Sequence, residues 1–360
     1  MYTAKKERLG DLIKTVEKME GEKVDKRIPV DRIRMDDDGL LNIDGRKHEL
    51  TDHALTQLVS KVRSMAGLSA SIMKVGYLKA CPPHSRAYQI NDWIENYLKK
   101  EKNTPEWLIR FNNERVRGIL SKNYSIFDNK ELLNILREVK GDSIKFENIW
   151  VDQNQVHLRS IKEDTKLGRN KDALMAGWHI SNDEVGKRSI RVDFLIYQLI
   201  CTNGLMGIKE HDALFKRRHY GVDEEKIKHG FAAALDLNHD KALETIDLFM
   251  ETKNKEIDSD DLELIFSAVR NSHPIISKEI TERAKNEVDN YLINNKLTKF
   301  TLISSLTTAA RDLLVGENRY DVERAAGKLL DKKKIYTPDK EPILLESDAE
   351  VDFDDLEPIN

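Results

Sequence analysis

Basic residues recur at predicted strand ends and turns, with aromatic residues close to them in the chain. A lysine or arginine can neutralise a nucleic-acid phosphate and release counterions, and an aromatic ring can stack on an unpaired base. These residue types predict a groove that binds a single strand without sequence preference, although a solvated charged face beside ordinary core aromatics would give a similar pattern. The candidate nucleic-acid-binding residues are Arg110, Arg115, Arg117, Lys122, Lys187, Arg188, Arg191, Lys216, Arg217, Arg218, His219 and Tyr220.

The C-terminus carries a charged feature of the opposite sign. Residues 338–360 contribute −8 to the formal net charge of −4, so the rest of the chain carries about +4. Repeated carboxylates can imitate phosphates, and an apolar side chain among them can enter a pocket on a partner. We expect a disordered acidic tail that competes with nucleic acid or docks onto a replication or repair protein; the alternative is a solubilising tail. Its candidate contact residues are Asp352, Phe353, Asp354, Asp355 and Ile359.

Two groups of imidazoles and carboxylates offer an enzymatic alternative. A metal-dependent nuclease needs two or three such ligands that converge on one cation. The favoured prediction nevertheless assigns no catalytic residue and no metal, and it makes the protein a binding factor rather than an enzyme. The two groups are His179 with Asp183 and Glu184, and His211 with Asp212 and His219.

Cofactor use and cellular compartment follow from motifs that the chain lacks. It has no glycine-rich phosphate-binding motif, so no nucleotide cofactor is expected. Cys81 and Cys201 have no metal-like spacing, which indicates a reducing compartment. The N-terminus is rich in Lys and Glu without an apolar signal region, and no apolar run approaches the ~20 residues of a membrane span. We therefore predict a cytoplasmic protein without membrane contact.

Strand hairpins are the elements that must position the basic residues. Residues 190–196 alternate apolar and charged side chains, which predicts a strand with one buried face. Residues 173–181 are predicted to be the preceding strand of an antiparallel hairpin, because Asn182, Asp183 and Gly186 are turn formers. Lys187, Arg188 and Arg191 would then lie at its turn end. Further turns are predicted at Asn112–Asn113, Asp152–Asn154 and Asn203–Gly204.

Three motifs in this part of the chain carry a family resemblance. They are Gly177 to Gly186 (GWHISNDEVG), Cys201 to Gly204 (CTNG) and Arg218 to Gly221 (RHYG). Together they resemble the phage/plasmid-like protein family, domain of unknown function 932, which is common in phages and mobile elements. The resemblance extends from about Leu50 to about Leu237. It implies two helices followed by strand hairpins, and it implies no particular chemistry.

The predicted fold class is α+β: a hairpin-rich antiparallel sheet domain with flanking helices, followed by an all-helical C-terminal region and a disordered acidic tail. The predicted boundaries place an N-terminal helix and short strands at 1–49 and the mixed core domain at 50–222. The helical region then covers 223–335, and the tail covers 336–360.

These observations together predict a phage-type single-stranded-DNA-binding and annealing protein of recombination or replication. It would act as a homo-oligomer on single-stranded DNA. A metal-dependent nuclease and a non-catalytic factor that binds a host defence component are the alternatives.

Overall fold

The computed structural model describes residues 2–4, 6–19, 22–68, 75–100, 103–142, 144–162, 165–166, 174–198, 203–206, 213–236, 239–314 and 316–346. Within these ranges the protein has the predicted α+β fold, in which antiparallel sheets are flanked by helices. The predicted tail contacts Asp352, Phe353, Asp354, Asp355 and Ile359 lie outside the described residues, as does Cys201.

The first part of the chain alternates short strands with helices. Its elements are β1 (Tyr2–Ala4), β2 (Glu7–Arg8), α1 (Leu9–Met19), β3 (Lys23–Pro29), β4 (Ile33–Met35), β5 (Leu41–Ile43), β6 (Arg46–His48), α2 (Asp52–Met65), α3 (Val75–Ala80), α4 (Pro83–Leu98), β7 (Glu106–Asn112), β8 (Arg115–Ser121) and α5 (Asn129–Lys140).

Strands dominate the middle of the chain, and helices dominate the rest. The strands are β9 (Lys145–Phe146), β10 (Asn148–Val151), β11 (Gln155–Ile161), β12 (Leu174–Asp183), β13 (Ile190–Gln198), β14 (Asn203–Met206) and β15 (Ala213–Arg217). They are followed by α6 (Glu224–Leu235), α7 (His239–Glu251), α8 (Leu262–Ser272), α9 (Lys278–Lys285), α10 (Lys299–Leu313), α11 (Gly316–Gly327), β16 (Lys334–Tyr336) and β17 (Pro342–Leu344).

The largest sheet has the strand order β1-β10-β11-β12-β13-β14, and β15 also pairs with β13. All of these pairs are antiparallel. The predicted hairpins β7–β8, β10–β11 and β12–β13 are confirmed. The predicted turn at Asn203–Gly204 is wrong, because both residues lie in β14 and pair with β13.

One face of this sheet is apolar. Leu158, Ile180 and Val192 on its three central strands are fully buried and belong to a cluster that includes side chains of α1, α5 and α6. The amphipathic pattern of α1, with Leu9 and Leu12 buried, explains why that helix packs here. Burial of this face accounts for the alternation that the sequence shows.

The opposite face of the sheet is polar, yet it is also buried. Asp193 on β13 is 0% exposed, as are Arg159 on β11 and His179 on β12. Side chains of α11 pack over this face through Tyr320 and Glu323. The prediction of a strand with a single buried face is therefore wrong at the centre of the sheet.

A second core lies on the N-terminal side of the chain. β3, β7 and β8 form a three-stranded sheet, and β4, β5 and β6 form another. Their apolar side chains cluster with those of α2 and α4. The predicted boundary between residues 49 and 50 runs through this core, because β3 pairs with β7.

The C-terminal region contains the predicted helices and one element that the sequence analysis missed. β16 and β17 form an antiparallel hairpin, so the region is not all helical. Leu345 is fully buried beyond the hairpin, and Glu346 pairs with Lys299 at 2.9 Å. The predicted start of the tail at residue 336 is therefore too early, since the folded chain reaches at least residue 346. Across the described residues, no helix is long and apolar enough to cross a membrane.

Gly177 on β12 permits the close approach of β11. A Cβ atom at this position would lie 2.0 Å from the carbonyl oxygen of Ser160 and 2.9 Å from the Cα atom of Ile161. Both contacts are with backbone atoms in the middle of a sheet, so they cannot be relieved by rotating a side chain.

We expect Gly177→Ala to lower the free energy of unfolding by about 3 kcal/mol or more, as overpacking against backbone must displace a central strand. Urea denaturation followed by circular dichroism measures this loss. Gly76→Ala is the matched control, because no atom lies within 4 Å of its Cβ position and the residue is in α3. That control should be neutral or slightly stabilising; equal losses in the two variants would contradict the packing argument.

Candidate nucleic-acid interface

Strand register brings polar side chains into rows on the buried polar face. Arg159, His179 and Asp193 are direct neighbours across β11, β12 and β13. The adjacent row contains His157, Ser181, Arg191 and, on β15, Lys216. Since side chains of a strand alternate between faces, all of these residues share one side of the sheet.

Ion pairs connect α11 to this face. Arg159 pairs with Glu323, which also accepts a hydrogen bond from Arg319 at 2.8 Å. Arg324 bridges Asp193 at 2.9 Å and Asp321 at 3.1 Å. These groups leave water on folding, so each charge must be paired to avoid a large desolvation cost.

Two further arginines reach the same carboxylates from the hairpin. Arg188, in the turn between β12 and β13, pairs with Asp321. Arg191 on β13 donates to Asp193 at 2.6 Å. Helix α11 is therefore bound to the turn end of the hairpin by charge-assisted hydrogen bonds.

Stacked rings fill the space between the helix and the sheet. The ring centroids of His157 and His179 are 5.3 Å apart, and the ring of Tyr320 lies 4.6 Å from each of them. His157 Nδ1 is 3.2 Å from His179 Nε2, and His179 Nδ1 is 3.6 Å from a carboxylate oxygen of Asp193. The last distance is too long for a direct hydrogen bond, but it is short enough for the carboxylate to favour a proton on Nδ1.

Both imidazoles are neutral near pH 7. Burial lowers the pKa of His179 to about 4, although Asp193 acts in the opposite direction. Burial, together with the charges of His179 and nearby arginines, holds the pKa of His157 well below its ordinary value. For Asp193, burial alone would raise the pKa, but His179 and the two arginines outweigh it and lower the pKa, so this carboxylate is ionised.

A cavity of about 190 Å³ opens beside these rings, between the hairpin turn, β15 and α11. Its lining includes His157, Ser181 and Tyr320. Among the described residues, the cations that line it outnumber the carboxylates, with Asp321 as the one acid. The lining cations are Lys187, Arg188, Arg191, Lys216 and Arg324. Such a surplus of fixed donors suits an anion such as a phosphate.

A second buried network lies at the hairpin turn, around Glu184. Its carboxylate, 0% exposed, accepts from Arg117, from Lys23 at 2.9 Å and from the backbone N–H of Asn129 at 2.8 Å. Arg110 donates to the Glu184 carbonyl at 2.6 Å. The network joins the N-terminal core to the large sheet.

Arg110 and Arg117 belong to this network and not to a surface groove. Arg110 is 0% exposed and pairs with Asp25 and Asp128 at 2.9 and 2.6 Å. Arg117 is 1% exposed and pairs with Glu184. Their assignment to phosphate binding is corrected, because both guanidinium groups are buried against carboxylates.

His219 is also interior. It is 5% exposed, its Nε2 donates to the amide oxygen of Asn182 at 2.9 Å, and its ring stacks on Tyr124 with ring centroids 5.1 Å apart. Burial lowers the pKa of His219 to about 4, so it is a neutral residue and its assignment as a phosphate-binding cation is corrected. Asn182 belongs to the motif Gly177–Gly186 and His219 to the motif Arg218–Gly221. The hydrogen bond between their side chains connects these two motifs in the structure.

The other candidate cations are at the surface or line the cavity. Arg115 and Lys122 are exposed at the ends of β8, away from the cavity lining. Lys187 and Lys216 are exposed at the cavity, and Arg188 and Arg191 are half-buried there. Arg217 at the end of β15 is exposed, as are Arg218 and Tyr220 beyond it.

The proposed metal ligands do not converge. His179 faces Asp193, Asp183 accepts from Gln155 at 2.6 Å, and the Glu184 carboxylate is held by cations. The described residues contain no group of three or more His, Cys, Asp or Glu side chains that could hold a metal ion. His211 and Asp212 lie outside the described residues.

Sequence reasoning missed His157, Arg159 and the α11 residues of this site. In β11, His157 and Arg159 alternate with apolar residues, and this pattern could have indicated that one face of the strand is polar. The mixture of Arg319, Asp321, Glu323 and Arg324 in α11 reads in sequence as an ordinary solvated helix surface.

A protein-family model described as a domain of unknown function (DUF932) matches residues 116–336. The chain belongs to this family. The match begins later than the expected Leu50 and extends beyond the expected Leu237 to include α11 and β16. Comparisons with curated proteins and with solved structures gave no match. The cavity, both of its walls and the Glu184 motif thus lie within the DUF932 region.

We expect Glu184→Gln to lower the free energy of unfolding by about 3–5 kcal/mol, because it leaves the buried Arg117 and the nearby Lys23 without their carboxylate. Chemical denaturation measures the loss. Glu49→Gln is the matched control, since Glu49 forms an exposed 3.8 Å pair with Arg115 and such pairs contribute little. A Glu184→Gln protein as stable as this control would show that the buried charge network is dispensable.

Proposed function

We propose that this protein is a phage-type single-stranded-DNA-binding and strand-annealing protein of recombination or replication, acting in the cytoplasm without a nucleotide cofactor. The observation that carries the proposal is the convergence of Lys187, Arg188 and Arg191 with Lys216 around one cavity. Two basic clusters that are separated in sequence become one surface through the pairing of Arg191 with Lys216.

The cationic surface continues beyond the cavity. Lys216, Arg217 and Arg218 are consecutive exposed cations at the end of β15, and Tyr220 follows with 64% of its surface exposed. An exposed aromatic ring next to a row of cations supports stacking on an unpaired base while the backbone is neutralised.

The N-terminal core contributes further cations near Tyr220. Tyr220 forms a backbone bridge with Tyr124, close in the chain to the exposed Lys122. Arg27 donates to the Lys122 carbonyl at 3.4 Å and also lines a groove of about 650 Å³. Other lining cations of that groove are Lys26, Arg32 and Arg46. A nucleic-acid strand that follows these residues would contact both the N-terminal core and the large sheet.

Contacts of this kind suit annealing. Lysine and arginine bind phosphates without reading bases, so the base edges of the strand stay available for pairing. Annealing also requires several copies along the strand, and we propose a homo-oligomer for this reason.

The two alternatives have less support. The nuclease alternative needs converging metal ligands, whereas His179, Asp183 and Glu184 each have other partners. A factor that binds a host protein would use the helical region and the acidic tail, and it would not need a continuous cationic surface.

Fluorescence anisotropy with labelled single-stranded DNA at low and moderate salt tests the proposal, with duplex DNA and single-stranded RNA for comparison. Tight, salt-sensitive binding with a preference for single strands supports it, and an annealing assay then follows. Absence of binding at low salt would reject it and leave the protein-binding factor. Loss of substrate on addition of a divalent metal would favour the nuclease.

We expect the triple variant Lys216→Gln, Arg217→Gln and Arg218→Gln to weaken binding to all sequences. The salt dependence should flatten by about two units, at about 0.7 per lost phosphate contact on a single strand. Anisotropy titrations at several salt concentrations measure both effects.

The matched control removes the same charge elsewhere. Lys18, Lys278 and Lys333 are exposed lysines of the first helix and the C-terminal region, and their replacement with Gln should leave the salt dependence close to that of the wild type. Equal weakening in both triple variants would mean that net charge, and not this surface, governs binding.

We expect deletion of residues 347–360 to tighten strand binding, because this segment carries six carboxylates and no Lys or Arg that can compete with phosphates. The deletion begins at 347 because Leu345 is buried and Glu346 pairs with Lys299. Anisotropy at low salt measures the change. Weaker binding after deletion would show that the tail does not compete for the same surface.

A further inference from the structure

The cavity beside His157 differs from the exposed cationic surface in its size and enclosure. Its volume is about 190 Å³, compared with about 650 Å³ for the groove that Arg27 lines. This space holds one phosphate group with part of its sugar, whereas a run of nucleotides would need a longer groove.

The charges around the cavity suit an anion with more than one charge. Arg191 and Arg324 are shared with the buried Asp193, and Arg188 is shared with Asp321. Lys216 adds an ammonium group at the rim, where Lys187 also lies. A phosphate within a strand carries one negative charge and no proton, whereas a terminal phosphate has a second acidic group with a pKa near ~6, which supplies either a second charge or a proton.

The positions of the imidazole protons leave Nε2 of His157 as a hydrogen-bond acceptor. Asp193 favours a proton on Nδ1 of His179, so Nε2 of His179 accepts from Nδ1 of His157 at 3.2 Å. Nε2 of His157 then carries a lone pair. It is buried, and within the described part of the chain it has no hydrogen-bond partner.

An unpartnered buried acceptor is costly, so it indicates a group that arrives from outside. His157 is one of the residues that line the cavity, and its other ring nitrogen, Nδ1, is already used by His179. A ligand that fits must therefore supply both negative charge for the cations and a proton for Nε2.

We propose that this cavity holds a phosphomonoester, the terminal phosphate of a bound nucleic-acid strand, with its oxygens against the lysine and arginine side chains and one proton shared between a phosphate oxygen and Nε2 of His157. An internal phosphodiester brings no such proton, since its one acidic group is ionised and its two non-bridging oxygens share a single negative charge. The rest of the nucleic-acid strand would follow the exposed cations at the end of β15. That part of the inference rests on the proposed function.

The test compares one internally labelled oligonucleotide in three forms, with a 5′-phosphate, a 3′-phosphate or hydroxyl groups at both ends, on the full-length protein. One form with an end phosphate should bind about tenfold or more tightly than the hydroxyl form, as one charge-assisted contact contributes that much. Equal affinities for all three forms would overturn the phosphomonoester pocket and leave strand binding intact.

Neighbouring residues of β15 provide matched variants. Lys216 lines the cavity, so Lys216→Gln should abolish the preference for an end phosphate. Arg217 and Arg218 are not part of the lining, so the double variant Arg217→Gln and Arg218→Gln should weaken all three forms equally and keep their ratio. His157→Gln is a second cavity variant, with folding checked by circular dichroism; an end-phosphate preference that survives in both cavity variants would also overturn the inference.

Thermal unfolding with inorganic phosphate or a nucleoside monophosphate separates the pocket from the strand. One outcome is that no oligonucleotide binds, but these small ligands raise the Tm of the wild type and not of Lys216→Gln. That outcome supports the phosphate pocket and rejects the strand-binding function. If neither oligonucleotides nor small phosphates bind, both proposals are rejected.

Discussion

Burial of the Glu184 carboxylate is the constraint on which the rest of the structure depends. A buried carboxylate is tolerated only with cations and N–H donors around it, and Glu184 obtains them from three separated segments through Arg117, Lys23 and the backbone of Asn129. The next residue, Val185, accepts from His53 and Gln57 through its carbonyl. The β12–β13 turn is thereby fixed between two hydrophobic cores. Its orientation determines where Lys187 and Arg188 lie, and so it determines one wall of the cavity.

The same electrostatic requirement shapes the polar face of the large sheet. Helix α11 covers this face, and its carboxylates pair with Arg159 and Arg188, while its Arg324 pairs with Asp193. Under the centre of the helix, where water is excluded, nearly all of the charged side chains form ion pairs. Among the described residues, cations exceed carboxylates in the cavity lining, at the edge of this face. A buried ionic layer of this kind gives little net stability, but it fixes the position of the helix relative to the hairpin, and the cavity depends on that position.

Local features of the fold could be predicted because they depend on short-range physics. Residues 190–196 alternate, turn formers precede them, and the hairpin β12–β13 follows with Gly186 at a positive φ of 75°. A helical region was predicted from residue 223 onward, and α6 to α11 lie there; the side chains of Asp223 and Ser277 cap α6 and α9 by accepting from backbone N–H groups of the first turn. The turn predicted at Asn203–Gly204 was wrong, because pairing with β13 gave these residues an extended backbone that their local preferences disfavour.

The sequence by itself determined the three hairpins β7–β8, β10–β11 and β12–β13, the helical character of the C-terminal region, the family and the presence of basic clusters near residues 187–191 and 216–218. Only the tertiary structure decided which charges are buried and which are exposed. Arg117 and Lys187 look alike in sequence, yet one lies against Glu184 in the interior and the other lies at the cavity rim. The physical reason is that desolvation and ion pairing depend on partners far away in the chain, such as Asp321 on α11, and composition or periodicity carries no information about those distances.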